Sequence, residues 1–170
     1  MTKIKIYEVE KAYVDYLRTF DNSVPEEKDF KGAKARKYIG ILFEISSFKY
    51  FAPLSSPKKK FKTMKNGKDF MKIDGGQYGA INFNNMIPIH DLAIINYDID
   101  RESDEKYKNL LKIQIRFIRK NREDIINTAS ELYRLMTSDS PEEENERERL
   151  AKRCCKYLVL EEACKKYGDK

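Results

Sequence analysis

Residues 38–54 read YIGILFEISSFKYFAPL. Ile39, Ile41, Phe43 and Ile45 fall on one parity, the period-two pattern of a half-buried strand. Ser46-Ser47 breaks the run and a second aromatic-rich stretch, Phe48 to Leu54, follows, so the segment predicts the two strands of a hairpin. Upstream, Ile4 and Ile6 alternate with charged neighbours in a first strand from Lys3 to Glu8. Tyr13, Tyr16, Leu17 and Phe20 then recur at helical spacing, and Asp21 to Arg36 mixes Pro25, Gly32 and charges as a polar loop. Downstream, Gly75-Gly76 and Gly79 punctuate a strand pair, Phe70 to Ile73 and Tyr78 to Asn82, and a short strand is expected from Leu92 to Asn96.

After Asp100 the period changes. Tyr107, Leu110, Leu111, Phe117 and Ile118 fit one helix face, and Ile125, Ile126, Ala129, Leu132, Tyr133 and Met136 fit another. Ser140-Pro141-Glu142-Glu143 reads as a helix start, with Ser140 as cap and Glu143 reaching back, and the last helix is expected to run to about Tyr167. Glu142 to Arg149 reads as a solvated helix face. The order predicts an α+β architecture in a single domain, 1–170: a strand-rich part, 1–100, curled into a small antiparallel barrel, and a helical part, 101–170, packed on it.

The chain carries 34 Lys and Arg against 28 Asp and Glu, a net charge of +6 for which a polyanion is the simplest partner. Cys154, Cys155 and Cys164 are odd in number and clustered, which argues against a disulfide framework and suits helix packing in a reducing compartment. No stretch approaches the roughly 20 apolar residues of a membrane-spanning helix, so a cytoplasmic protein is expected. There is no GxxxxGK[ST], no HExxH and no carboxylate cluster with metal spacing, and His90 is the single histidine. Phosphate-loop nucleotide hydrolysis, most two-metal nucleases and a two-histidine ribonuclease mechanism are thereby excluded, and neither metal nor cofactor is expected.

The segment most suggestive of chemistry is YFAPLSSPKKK, Tyr50 to Lys60. Pro57 disfavours a helical Ser56, so Ser55 and Ser56 are expected at a strand end with Lys58 close behind, an arrangement of hydroxyls and positive charge that suits a phosphodiester. Lys59, Lys60, Lys62 and Lys65 would guide a nucleic-acid strand. Arg36 and Lys37 precede the Tyr38 strand and could share the same rim, stabilising a pentacoordinate phosphorane. Phe117, between Arg116 and Arg119, could stack on a base or pack in the core. The residues alone leave open a solvated basic loop, a non-catalytic RNA-binding module, a protein-docking barrel and a catalytic turn.

KYIGILFEI (37–45), KYFAPLSSPKKK (49–60), YGAINFNNMIPI (78–89) and QIRFIRKN (114–121), in this order and spacing, resemble the ToxN/AbiQ family of type III toxin–antitoxin endoribonucleases. The resemblance implies a MazF/Kid-like barrel with added helices, metal-independent cleavage of cellular or phage RNA, and inhibition by a repeated, pseudoknotted antitoxin RNA within an RNA-mediated assembly. It also implies roles in phage defence or in maintenance of a locus. Carried over by position, the family's hydroxyl pair falls on Ser55 and Ser56, its following lysine on Lys58, and its second catalytic cation on Arg36 or Lys37. Some members have a histidine where this chain has Phe61.

Overall fold

The computed structural model describes residues 3–27 and 34–169, so positions 28–33 of the expected loop lie outside the described residues. Within them the architecture is α+β, an eight-stranded antiparallel sheet with helices gathered in the second half. β1 (Lys5–Val9) leads into α1 (Lys11–Arg18); β2 (Tyr38–Gly40) and β3 (Glu44–Ile45) run into β4 (Phe48–Ser55); β5 (Met71–Lys72), β6 (Ala80–Ile81), β7 (Ile87–Ile89) and β8 (Ile94–Asn96) are short. The helical part comprises α2 (Glu105–Lys120), α3 (Arg122–Thr137), α4 (Glu144–Ala151) and α5 (Tyr157–Tyr167).

The longest strand, β4, is paired on both edges: β3 and β2 on one side, β7 and β6 on the other. The main path runs β5-β6-β4-β2-β1-β8, and its two ends do not pair with each other. β7 escaped the sequence reading because Ile87-Pro88-Ile89 is short and carries a proline. It pairs with β4 alone, so the missing Pro88 N–H removes no ladder bond from a second neighbour.

The expected parity of the first hairpin strand is corrected by a bulge. Ile39 faces Ala52 and Glu44 faces Lys49, five residues advanced on one strand against three on the other. The excess is absorbed where Tyr50 accepts from the Leu42 N–H and donates to the Phe43 carbonyl. Leu42 is thereby turned into the core, while Ile45, at the tip, is exposed. Ser46 and Ser47 both take positive φ, 47° and 73°, as a type I′ two-residue hairpin turn requires.

The single last helix expected after Ser140 is also corrected. Ser140 caps nothing with its side chain, Glu143 instead grips Arg134 through both carboxylate oxygens, and the helix stops at Ala151 and restarts at Tyr157. The break has its own partners: the Cys155 N–H donates to the Asn84 carbonyl at 2.8 Å and the Lys156 N–H to the Asp21 carboxylate at 2.6 Å. It buries Cys154 and Cys155, and burial pushes the Cys154 thiol up to about 12. Cys164 is buried on α5, and all three thiols are free. No helix among the described residues is long and apolar enough to cross a membrane.

One continuous core joins sheet and helices. At its centre Glu161 of α5 accepts hydrogen bonds from Tyr50 of β4 at 2.5 Å and Tyr133 of α3 at 2.7 Å. Tyr50, Tyr133 and Tyr157 pack edge-on or stacked around it. An unsatisfied buried polar group costs about 1–3 kcal/mol, so Glu161→Leu, which orphans two phenols, is expected to lower stability by about 2–4 kcal/mol in urea unfolding. Glu161→Gln, still an acceptor, should lose about half as much or less. Equal stability of wild type and Glu161→Leu would show that the two tyrosines are satisfied some other way.

Candidate functional site

β4 ends at Ser55, whose neighbour across the ladder is Ala80 of β6. The chain beyond, Ser56-Pro57-Lys58, leaves the sheet, and one turn of 3-10 helix, Lys59–Lys62, is anchored by Phe61 buried against Phe70. On β4's other edge the Leu54 N–H donates to the Lys37 carbonyl, which fixes the Arg36–Lys37 segment beside the serines. A cleft of about 690 Å³ opens there between the strand ends and α2, lined by Arg36, Ser55, Ser56 and Lys58 on one wall and by Lys106, Tyr107 and Gln114 on the other. A second lobe of about 510 Å³ reaches toward the Lys60–Lys65 segment, Asn82 and Arg153. Arg36, Ser55 and Lys58 line both lobes and so stand at their junction.

The two cations before β2 have different environments. Lys37 is buried: its ammonium pairs with Glu8 at 2.8 Å, donates to the Ala35 carbonyl at 2.8 Å and lies over the rings of Tyr97 at 4.6 Å and Tyr107 at 5.3 Å. The ammonium is thus paired and desolvated, and the residue lines the first lobe next to Arg36. Arg36 is held by its backbone N–H on Glu27 and by a long guanidinium contact, 3.5 Å, to the Glu26 carbonyl, while its buried Nε has no hydrogen-bond partner among the described residues. The residue lines the cleft beside Ser55 and Lys58, and a guanidinium in such a place can meet a phosphate oxygen through its terminal nitrogens.

Of the expected guiding residues, Lys60 and Lys65 line the second lobe, whereas Lys59, Lys62, Arg116, Phe117 and Arg119 line neither. Phe117 packs against the core, and Arg119 turns to the Ile4 carbonyl. What α2 sends to the cleft is the face through Tyr107, Leu110 and Gln114, one turn and two turns apart. His90 serves locally: its Nδ1 accepts from the Leu92 N–H. Among the described residues no three His, Cys, Asp or Glu side chains come together as a metal site.

Four contributors were missed by sequence reasoning. Asn82 donates through Nδ2 to the Ser55 hydroxyl oxygen at 2.5 Å. Gln114, buried on an otherwise apolar helix face, donates to the Tyr78 carbonyl at 2.9 Å and so locks α2 to the turn before β6. Tyr107 has its phenol pushed up to about 12, first by burial and then by Glu102 and Glu8, so it remains a hydroxyl donor at neutral pH. Arg153 lines the second lobe as an ion pair with the Asp69 carboxylate, which lines it too, giving that wall a polar but charge-balanced end. A polar residue at a core position was the available signal for Gln114; the other three lie far in sequence from the serine turn.

The chain matches the model of a family described as toxin ToxN of type III toxin–antitoxin systems over residues 5–165. It is 30% identical to endoribonuclease ToxN of Pectobacterium atrosepticum, with 97% of this chain and 94% of the relative covered. It is 31% identical to endoribonuclease ToxN of Bacillus thuringiensis subsp. kurstaki, covering 98% and 85% respectively. A solved structure concerned with selective toxin inhibition by a non-coding RNA pseudoknot superposes with a TM-score of 0.84 at 28% identity over 99% of this chain and 100% of the other. Another, concerned with a processed non-coding RNA that regulates a bacterial antiviral system, gives 0.78 at 30% identity over 96% and 99%.

Gly79 provides a check on this geometry. Its φ is +105°, and a Cβ there would stand 2.0 Å from the Ser55 carbonyl oxygen. Gly79→Ala is therefore expected to push β4's end away from β6, destabilising by more than the about 1–2 kcal/mol of left-handed backbone alone and abolishing whatever activity needs Ser55. A Gly79→Ala protein with wild-type melting and activity would mean that the β4–β6 junction is looser than described.

Proposed function

Because the chain belongs to the ToxN family of type III toxin–antitoxin toxins, we propose that its cleft cuts single-stranded RNA without a metal ion, at the junction of the two lobes. The protein is an endoribonuclease. The observation that carries the cleft assignment is the convergence of Arg36, Ser55 and Lys58 on both lobes, with Ser56 beside them. In this reading the ribose 2′-hydroxyl attacks its adjacent phosphorus, the 5′-oxygen of the next nucleotide leaves, and the products are a 2′,3′-cyclic phosphate and a 5′-hydroxyl. The Ser55 and Ser56 hydroxyls donate to non-bridging oxygens while Arg36 and Lys58 offset the charge that grows on them. Of the two cations, Lys58 is the one placed to exchange a proton with the attacking 2′-hydroxyl or the departing 5′-oxygen, and Arg36 contributes charge and hydrogen bonds. Lys37 holds the wall in place through Glu8 rather than touching RNA.

The strand leaves along Lys60 and Lys65, with Lys59, Lys62, Arg116 and Arg119 extending the positive surface; stacking falls to Tyr107 in place of Phe117. A folded antitoxin RNA, a pseudoknot in the related complex, occupies the same surface and joins toxin copies into an RNA-mediated assembly. The chain acts as one domain in the cytoplasm, where substrate and antitoxin RNA are made, in phage defence or locus maintenance. The path of its sheet ends at β5 and β8 without closing, and in this reading it is an opened relative of the MazF/Kid-like barrel.

Cleavage of an end-labelled single-stranded RNA in EDTA is the decisive assay. Loss of one oriented donor to a transition state costs about 2.7–4 kcal/mol, or 10²–10³ in rate. Ser55→Ala, Lys58→Ala and Arg36→Ala are each expected to fall by that much while melting like wild type, with Ser56→Ala comparable or milder. Activity lost in EDTA and regained with magnesium, or full-rate cleavage by these variants, would overturn the mechanism.

Antitoxin binding separates charge from chemistry. Affinity for the RNA should fall steeply with salt as counterions return to the phosphates. Ser55→Ala should keep it within about tenfold, roughly 1.4 kcal/mol, whereas combined removal of Lys58, Lys59, Lys60 and Arg119 charges should weaken it strongly. Titration at fixed salt reads both, and an affinity indifferent to those charges would place the antitoxin on another surface.

A further inference from the structure

Ser55 does not stand alone at the end of β4. Asn82 follows β6, and the Ser55–Ala80 pair of the ladder makes it the diagonal cross-strand neighbour of Ser55, within side-chain reach on the same face. Its backbone is pinned on both sides: the N–H donates to the Pro53 carbonyl at 3.1 Å and the carbonyl accepts from the Asn85 N–H at 3.2 Å. From that fixed base the carboxamide Nδ2 donates to the Ser55 Oγ at 2.5 Å.

A hydroxyl has one hydrogen and two lone pairs. When Asn82 donates to Oγ it takes a lone pair and leaves the hydroxyl hydrogen free to turn elsewhere. The non-bridging oxygens of a phosphodiester only accept, so a serine serves them only with its hydrogen. Turned the other way, with the amide oxygen toward Oγ, Asn82 would capture that hydrogen and present lone pairs to a phosphate, which repels them. The two lobes that meet at Ser55 give the hydrogen a place to point.

We propose that Asn82 is a positioning residue for RNA cleavage: its amide fixes the Ser55 hydroxyl as a hydrogen-bond donor to a non-bridging oxygen of the scissile phosphate, so that Ser55 stabilises the phosphorane and is neither nucleophile nor base. This rests on the cleft assignment above, and Ser55→Ala separates the two. If Ser55→Ala cuts at wild-type rate, the cleft assignment has failed; if Ser55→Ala is crippled while Asn82 variants are not, only the role of Asn82 has.

The test uses the full-length chain and a short single-stranded RNA carrying one cleavage site, with the scissile phosphate either normal or as separated Rp and Sp phosphorothioates. Asn82→Asp supplies acceptors only and seizes the hydroxyl hydrogen. It is expected to lower kcat by about 10²–10³, as Ser55→Ala does, with KM within about threefold. The Ser55→Ala/Asn82→Asp double variant should be no slower than Ser55→Ala. Wild type should show a rate loss for one phosphorothioate isomer, which both single variants should abolish, an effect a merely structural asparagine would not produce. Should Asn82→Asp fail to fold, Asn82→Ala removes the donor without adding charge and is expected to lower kcat by about tenfold, again erasing the isomer preference. Wild-type kcat in the Asn82 variants, multiplying losses in the double variant, or an isomer preference that survives in Asn82→Asp or Asn82→Ala would each overturn the proposal.

Discussion

Everything in this molecule hangs on one strand having to satisfy both of its edges. β4 gives ladder bonds to β3 and β2 on one side and to β7 and β6 on the other. A buried backbone group left without a partner is costly, so a strand in this position cannot drift in register without orphaning its neighbours. The same strand carries Tyr50, bonded to Glu161 of α5. Sheet and helices are thereby referred to one rigid element, and its last residue, Ser55, inherits that rigidity at the mouth of the cleft. A catalytic group on a rigid strand end is held more closely than one on a free loop, and sub-ångström placement is what transition-state stabilisation demands.

The cleft takes one segment from each side of β4. Arg36 and Lys37 come from the approach to β2, Asn82 from the exit of β6, and Tyr107 and Gln114 from α2. Arg36 lines both lobes, while Lys37 lines the first alone and its ammonium sits in a cage of Glu8, Tyr97 and Tyr107. Tyr107 on the opposite wall is a phenol whose proton burial holds still more firmly. Neutral donors and fixed positive charges facing one space describe a site complementary to a phosphate gaining negative charge.

The hairpin and the change from strand to helix after Asp100 were legible because each rests on local periodicity, and the serine turn because proline and the lysines mark it. The bulge at Leu42 was not, since alternation on one strand says nothing about how many residues the partner offers opposite it. The division between α4 and α5 was hidden for a related reason: the residues that take up its free amides, Asn84 and Asp21, lie far away in sequence. The different surroundings of Arg36 and Lys37 depend on Glu8, and the link from Asn82 to Ser55 on strand pairing, neither of which is local in sequence. Periodicity reports which face is apolar; it carries no information about partners brought together by register.

The buried thiols bear on how such an enzyme endures stress. Peroxide and disulfide exchange act on the thiolate. Burial pushes the Cys154 thiol well up, away from that thiolate form. Cys155 and Cys164 are displaced upward as well, also first by burial. Buried and kept in the thiol form, the three sulfurs behave as small apolar side chains that pack the break between α4 and α5 and the inner face of α5.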